Sequence, residues 1–324
     1  TDGQSLHITY MDSTKGWVPT LDDDVTDAPA PPGNDNGIFG YGSAASQYSL
    51  TNLVSNTGVI GTDVSGVGTA RHHLAACGYG EDKGIFGYGL VSSVSSLSNL
   101  VNSSGVVASD VTGVGTARDT LAATEFGGDK GIFGFGQVGG GTVTGVTNLV
   151  SNVGVVATDT SGVGTDRTYL GACGYGVDKG IFAYGVIDPE GTETSLSNLV
   201  SNTGVIATDT TGVGTVRAGN PGACQYGGDK GIFGYGDTAA SGKISLTNLV
   251  SNTGVVATDT AGVGTARRYI AACEYGQDKG IFAYGQDASG RVSMSNLVSN
   301  VGVVATDVTG VGSVRSGLAA CSYN

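Results

Sequence analysis

The triplet Gly-Ile-Phe returns six times along this chain, and that recurrence constrains the fold more than any other feature. Its phenylalanines are Phe39, Phe86, Phe133, Phe182, Phe233 and Phe282, at intervals of 47 to 51 residues. A second landmark keeps the same period. It is the arginine closing Gly-Val-Gly-Thr-Ala-Arg and its variants, at Arg71, Arg118, Arg167, Arg217, Arg267 and Arg315. Each unit contains four short apolar runs: Leu-Ala-Ala-Cys-like, Gly-Ile-Phe-Gly-Tyr-Gly, Ser-Leu-Thr-Asn-Leu-Val and Gly-Val-Val-Ala-Thr. Turn clusters rich in Gly, Asn, Asp and Ser separate them. No run of helical period survives the glycines. Four antiparallel strands in a unit of this size make one blade of a β-propeller.

A solenoid is the competing architecture, and it needs atypical capping repeats at its ends. Here the ends complement each other instead. The chain enters the first unit at its second strand, Gly37-Ile38-Phe39, and finishes on an orphan first strand, Leu318-Ala319-Ala320-Cys321. We therefore expect an all-β chain. Its body is a six-bladed β-propeller of four-stranded antiparallel blades over residues 37–324, closed by the C-terminal strand completing the first blade. Residues 1–36 form an N-terminal extension and linker. In it, Leu6, Ile8 and Tyr10 alternate with polar residues as in one short strand. The run Asp22-Asp23-Asp24 and the prolines from Pro29 to Pro32 read as a stiff, solvated linker. The extension is either an attachment arm, docking through Trp17-Val18, or a disordered end.

Composition narrows the function. Glycine accounts for 58 of 324 residues, without a collagen period, and serves turns. The net charge of −13 repels phosphate backbones, which argues against nucleic-acid binding. The apolar runs are too short to span a bilayer, so no membrane insertion is expected. No signal peptide is visible, although a chain starting at Thr1 leaves upstream processing open.

The order Arg71, then Leu74-Ala75-Ala76-Cys77, then Gly84-Ile85-Phe86-Gly87-Tyr88-Gly89 resembles the kelch repeat. It departs from kelch in lacking a tryptophan in the last strand and in using Gly-Tyr-Gly for paired glycines. The near-identical units ("DKGIFGYG…TNLVSNTGVVATDTAGVGTAR") also resemble repeats in virion proteins of tailed bacteriophages, and the opening "LHITYMDSTKGWVPTLDDD" is similar to a short module of such proteins. That resemblance implies a virion location, with a tail-fibre, baseplate or capsid-decoration role. It implies as partners other virion proteins reached through the extension, a host-surface glycan or protein, and copies of the chain within the assembly. The alternative is an extracellular or cell-surface, lectin-like propeller that binds glycans.

The titratable residues favour structural roles. Five cysteines (Cys77, Cys173, Cys224, Cys273 and Cys321) share one strand position, with Thr124 in the sixth place. Neighbouring copies lie beyond disulfide reach, and a thiol metal ring would be broken by Thr124, so these are buried small side chains. Asp63, Asp110, Asp159, Asp209, Asp259 and Asp307 each stand eight residues before a repeat arginine. Pairs such as Asp63–Arg71 would clamp the loop into the next blade. A calcium site is the sharper reading, but one carboxylate per loop is a poor ligand set for it. The asparagines before each Leu-Val point to a repeated structural hydrogen bond. No nucleophile elbow, Cys–His pair or His/Tyr copper set is present, so no catalytic residue, metal or cofactor is expected.

The asymmetry lies in two places. One is the stretch after Gly-Tyr-Gly: residues 43–48, 90–96, 137–146, 186–194, 237–244 and 286–292. The other is the pair or triplet after each arginine. In an antiparallel meander both emerge on one face, so one end is uniform and the other individually decorated. Loops on a rigid scaffold are where recognition resides. The candidate ligand contacts are therefore His72, His73, Tyr169, Arg268 and Tyr269, against the alternative of neutral loop drift.

Overall fold

A computed structural model describes residues 7–12, 16–21, 35–187 and 191–324. The described residues contain strands and no helix. The chain divides into two compact units, Thr1–Pro32 and Gly33–Asn324. The first holds an antiparallel hairpin, His7–Asp12 with Gly16–Leu21, where the sequence predicts a single strand. The acidic and proline-rich linker lies outside the described residues.

The second unit is built from six three-stranded antiparallel sheets. One representative pairs Ala122–Phe126 with Lys130–Gly134, and Lys130–Gly134 with Thr147–Val150. The same order recurs at Ala75–Tyr79, Gly171–Tyr175, Gly222–Tyr226 and Ala271–Tyr275, each with its following hairpin partner. The sixth sheet joins the two chain ends. Ala319–Tyr323 pairs with Asn36–Gly40, setting Cys321 opposite Ile38, and Asn36–Gly40 pairs with Thr51–Val54. Asn36, which the sequence places in the linker, is the first residue of that strand. The first strands pack on one another in a cycle, 75–79, 122–126, 171–175, 222–226, 271–275 and 319–323, which returns to 75–79.

The fourth apolar run of each repeat does not form a regular strand. It meets the third strand only at isolated bridges, such as Thr51 with Val64 and Val54 with Ile60. The cause is a side chain. Asn52 Nδ2 donates to Gly61 O and to Asp63 Oδ1, both at 3.0 Å, and occupies the place where backbone pairing would continue.

The core lies between successive sheets. In one interface Ala75, Cys77, Tyr79, Ile85 and Tyr88 pack on Leu121, Phe133 and Val150 of the next sheet. The second strand needs its leading glycine here. A Cβ at Gly131 would sit 2.5 Å from Cys77 Sγ, so the thiol fills the space the glycine leaves. All five cysteines are free and buried.

Each repeat arginine is fully buried and ties sheets together. Arg118 Nη2 donates to Asn148 Oδ1 at 2.7 Å, Nε donates to Phe135 O at 2.9 Å, and the guanidinium lies 4.3 Å from the Tyr88 ring centre. The stacked ring belongs to the preceding repeat and the asparagine to the arginine's own sheet. The clamp expected between each aspartate and the arginine eight residues on, such as Asp63–Arg71, is corrected by the structure. Asp63 pairs with Arg315, Asp110 with Arg71, Asp209 with Arg167 and Asp307 with Arg267, at 3.5 to 3.8 Å. Each of these aspartates pairs with the arginine that leads into its own sheet and not with the one eight residues on, because its carboxylate is already held beside the asparagine that binds that arginine. Asp159 follows the same rule, accepting from Thr116 N and Oγ1, two residues before Arg118. Asp259 does so at Thr215, before Arg217.

Candidate functional site

The two variable segments are physically joined. The carbonyl of each buried arginine accepts the amide of the glycine in Gly-Tyr-Gly, as Arg71 O does from Gly42 at 3.0 Å. The next residue then bridges the loop that follows Gly-Tyr-Gly in its own repeat: His72 with Leu90, Thr168 with Val186, Ala218 with Asp237 and Arg268 with Gln286. One residue further, the backbone turns into the left-handed region. His73, Thr120, Tyr169, Asn220, Tyr269 and Gly317 have φ between 47° and 63°. Their main chains close a ring of hydrogen bonds. His73 N donates to Gly317 O, Gly317 N to Tyr269 O, and Tyr269 N to Gly219 O. Asn220 N donates to Tyr169 O, Tyr169 N to Thr120 O, and Thr120 N to His73 O. The triplet Ala218-Gly219-Asn220 adds one residue at the fourth place, so two residues share one link.

Side chains alternate around this ring. His73, Tyr169 and Tyr269 are large and point together; Thr120, Gly219 and Gly317 between them are small. Their ring centres lie 5.2 Å apart for His73–Tyr269, and 6.0 Å for both His73–Tyr169 and Tyr169–Tyr269. A Cβ on Gly317 would lie 2.6 Å from His73 Cδ2, so the small residues make room for the large. His72 lies tilted against His73, ring centres 4.5 Å apart, and Arg268 lies 4.7 Å from the Tyr269 ring centre. All five residues predicted from the loops thus form one contiguous cluster.

Polar groups border it. Arg268 Nη1 donates to Asp237 Oδ2 at 2.8 Å, and Nε to Gln286 Oε1 at 3.3 Å. Gln47 Nε2 lies 3.4 Å from His72 Nδ1 and donates to Val91 O at 2.6 Å. His73 Nδ1 is 3.9 Å from Asp119 Oδ2. Burial, followed by the neighbouring His73, lowers the His72 pKa to about 4. Burial, with Tyr269 adding, pushes Tyr169 up to about 12. Burial lowers the Arg268 pKa, but its bond to Asp237 outweighs that and holds it above the ordinary value. At neutral pH the His72 and Tyr169 rings are therefore uncharged, and they lie in one cluster with a paired guanidinium. The cluster's chemistry is stacking and hydrogen bonding.

Gln47, Asp119, Asp237 and Gln286 fall within the variable segments read from the sequence, though not among the five candidate contacts named there. Sequence reasoning missed the alternation of large and small residues two places after each arginine, which is the signal that would have placed His73, Tyr169 and Tyr269 together. Below the cluster, a cavity of about 70 Å³ is lined by Leu74, Leu121, Leu170, Pro221, Ile270 and Leu318 among others. A second, of about 60 Å³, is lined by the alanines and cysteines of the first strands with Glu125, Gln225 and Glu274. Glu125 Oε1 accepts from Gly78 N at 3.0 Å. Among the described residues, no group of three or more His, Cys, Asp or Glu side chains is arranged to hold a metal.

No protein-family model matches the chain, and no curated protein matches it. Among the solved structures it is similar to is one titled "Structure of YjhT". That likeness has a TM-score of 0.63 at 12% identity and covers 84% of this chain and 96% of that one. At this identity it speaks to fold alone.

Proposed function

We propose that the second unit is a six-bladed β-propeller, closed by the C-terminal strand, and that it works as a non-enzymatic recognition module. The cyclic contact of the six first strands and the pairing of Cys321 with Ile38 support the closed ring. One observation carries the recognition reading. Three side chains from separately varied segments, His73, Tyr169 and Tyr269, meet at one place on the decorated end. The main-chain ring fixes the place where they meet, but neutral drift has no reason to set large aromatic rings at alternate places and small residues between them.

The setting we propose is the virion of a tailed phage, where the module serves assembly or host-surface binding and the N-terminal unit contacts other virion proteins. The resemblance of the repeated unit to such proteins supports this. A second reading, an extracellular lectin-like propeller, is favoured by the composition of the cluster. Aromatic faces beside an Arg–Asp pair and the amides of Gln47 and Gln286 suit the C–H faces and hydroxyls of a sugar ring.

The test is binding of the full chain to host-envelope fractions and to a glycan array, compared with Tyr169→Ala/Tyr269→Ala. We expect binding by the parent and loss in the double variant. Equal binding by both would remove the decorated end from recognition. Electron microscopy of labelled particles separates the virion setting from the extracellular one.

A further inference from the structure

The end opposite the aromatic cluster has a different character. It is made of the hairpins joining first and second strands and the turns that follow the third strands. These form one surface: Asn152 Nδ2 of a turn donates to Asp129 Oδ2 of a hairpin at 3.0 Å, and Asn252 does the same to Asp229. Charge cancels within the hairpins. Lys130, Lys179, Lys230 and Lys279 each bond the preceding aspartate at 2.5 to 2.7 Å, and Lys83 bonds Asp82. Among the described residues of this end, Asp35 and Glu81 are the carboxylates without a paired lysine. None of the six turns carries a charge. Over the described residues this end is thus nearly neutral, in a chain of net charge −13.

That end also exposes apolar side chains in a sixfold array. Val59, Val106, Val155, Val205, Val255 and Val303 are 60 to 64% exposed. The exposed residue two places earlier varies among threonine, serine and valine, yet these six positions never change. The local structure does not demand valine. The contacts of this residue with the turn are made by its backbone, as when Val155 N donates to Ser151 Oγ and Ser151 N donates to Val155 O. Singly exposed valines are ordinary, but six at equivalent places around one ring form an interaction surface.

We infer that this end docks a second copy of the chain, face to face. A twofold axis lying in the contact plane, at right angles to the ring's central axis, sets valine ring on valine ring, so that all six sites engage at once in a self-complementary interface. A partner without the repeat engages one or two of them. Two strongly acidic chains repel through most of their surfaces, and this is the end where each has neutralised itself. The inference concerns the end away from the aromatic cluster and stands apart from the function proposed for that cluster.

The experiment is sedimentation equilibrium of the full chain over a wide concentration range, with three variants. We expect reversible dimerisation of the parent. Val155→Asp/Val255→Asp, with its melting transition retained, weakens it at least about tenfold, the equivalent of about 1.4 kcal/mol. If that pair fails to fold, Lys130→Glu/Lys230→Glu reads the same surface through charge. Tyr169→Ala/Tyr269→Ala, at the other end, leaves it unchanged. A parent that stays monomeric throughout, a dimer indifferent to the surface variants, or a dimer lost with the tyrosines instead would each overturn the inference.

Discussion

Asp63 and Ser313, 250 positions apart, are held together by a hydroxyl bond of 2.6 Å and by a main-chain N–H shared between both carboxylate oxygens at 3.2 and 3.0 Å. Asp110 makes the same contact with Thr69 across only 41 positions. One of six equivalent interfaces therefore joins the two ends of the chain. Deleting residues 318–324 removes the first strand of that sheet. The expected loss exceeds about 4 kcal/mol, in the range reserved for major structural lesions. It is read as a large fall in the urea midpoint, whereas trimming Asn324 alone leaves the midpoint nearly in place.

The arginine network predicts a second outcome. Asn148→Ala leaves the buried Arg118 Nη2 without its acceptor and frees Asp159 from one donor. An unsatisfied buried charged donor costs about 3 kcal/mol. Arg118→Lys should cost a similar amount, because an ammonium cannot make the forked contacts to Phe135 O, Thr116 O and Asn148 together. Chemical denaturation of both variants checks this.

The thiols should be silent. Burial raises the pKa of all five cysteines, so thiolate is scarce in the folded chain. We expect no labelling by a thiol reagent in native buffer and five equivalents in denaturant. Gly131→Ala crowds Cys77 and should cost about 1 to 3 kcal/mol. Adding Cys77→Ala should recover part of that loss.

Stability should fall with acid in two separate windows. His72 has its pKa lowered to about 4 by burial and by His73, so the unfolded chain takes up a proton first. Its contribution is complete above about pH 6.5 and is lost between there and pH 4. His72→Gln should flatten that window. The six repeat aspartates come next. Burial pushes their pKa upward, but bonds such as those from Ser313 and Asn52 to Asp63 outweigh it and hold them below the ordinary value. Their contribution persists down to about pH 3.9 and disappears below it. Thermal melts across pH resolve the two.

Val177 stands at φ 73° and is 71% exposed, in the position Gly128 and Gly228 fill in other repeats. A β-branched residue there is strained by about 1 to 2 kcal/mol. Val177→Gly should raise stability by about 1 kcal/mol after the added freedom of the unfolded chain is discounted.

The strand order, the pairing of chain ends and the placing of the cysteines were legible because each depends on a local pattern repeated in register. The partner of each aspartate was not. The spacing of eight from Asp110 forward to Arg118 recurs without change in every repeat, whereas the spacing back to Arg71 does not, so the sequence points to the wrong partner and only the position of Asn99 decides for Arg71. The irregular fourth strand was hidden for a similar reason. Its valines have strand propensity, but the Asn52 amide takes the bonds a ladder would use. The aromatic cluster was half legible. The decorated end followed from the variable segments, whereas the meeting of His73 with Tyr169 and Tyr269 depends on left-handed turns that Gly317 and Asn220 suit but that the His and Tyr residues themselves do not announce.

Asp35 N donates to Asn324 O at 2.8 Å, so the two ends of the second unit touch. Such a ring has no privileged beginning. Residue 35 spliced onto residue 324, with the chain opened instead between Gly140 and Gly141, keeps every strand beside its present neighbours. The order in which the six sheets are synthesised thus does not decide which strands pair, and a permuted chain should reach the same native state.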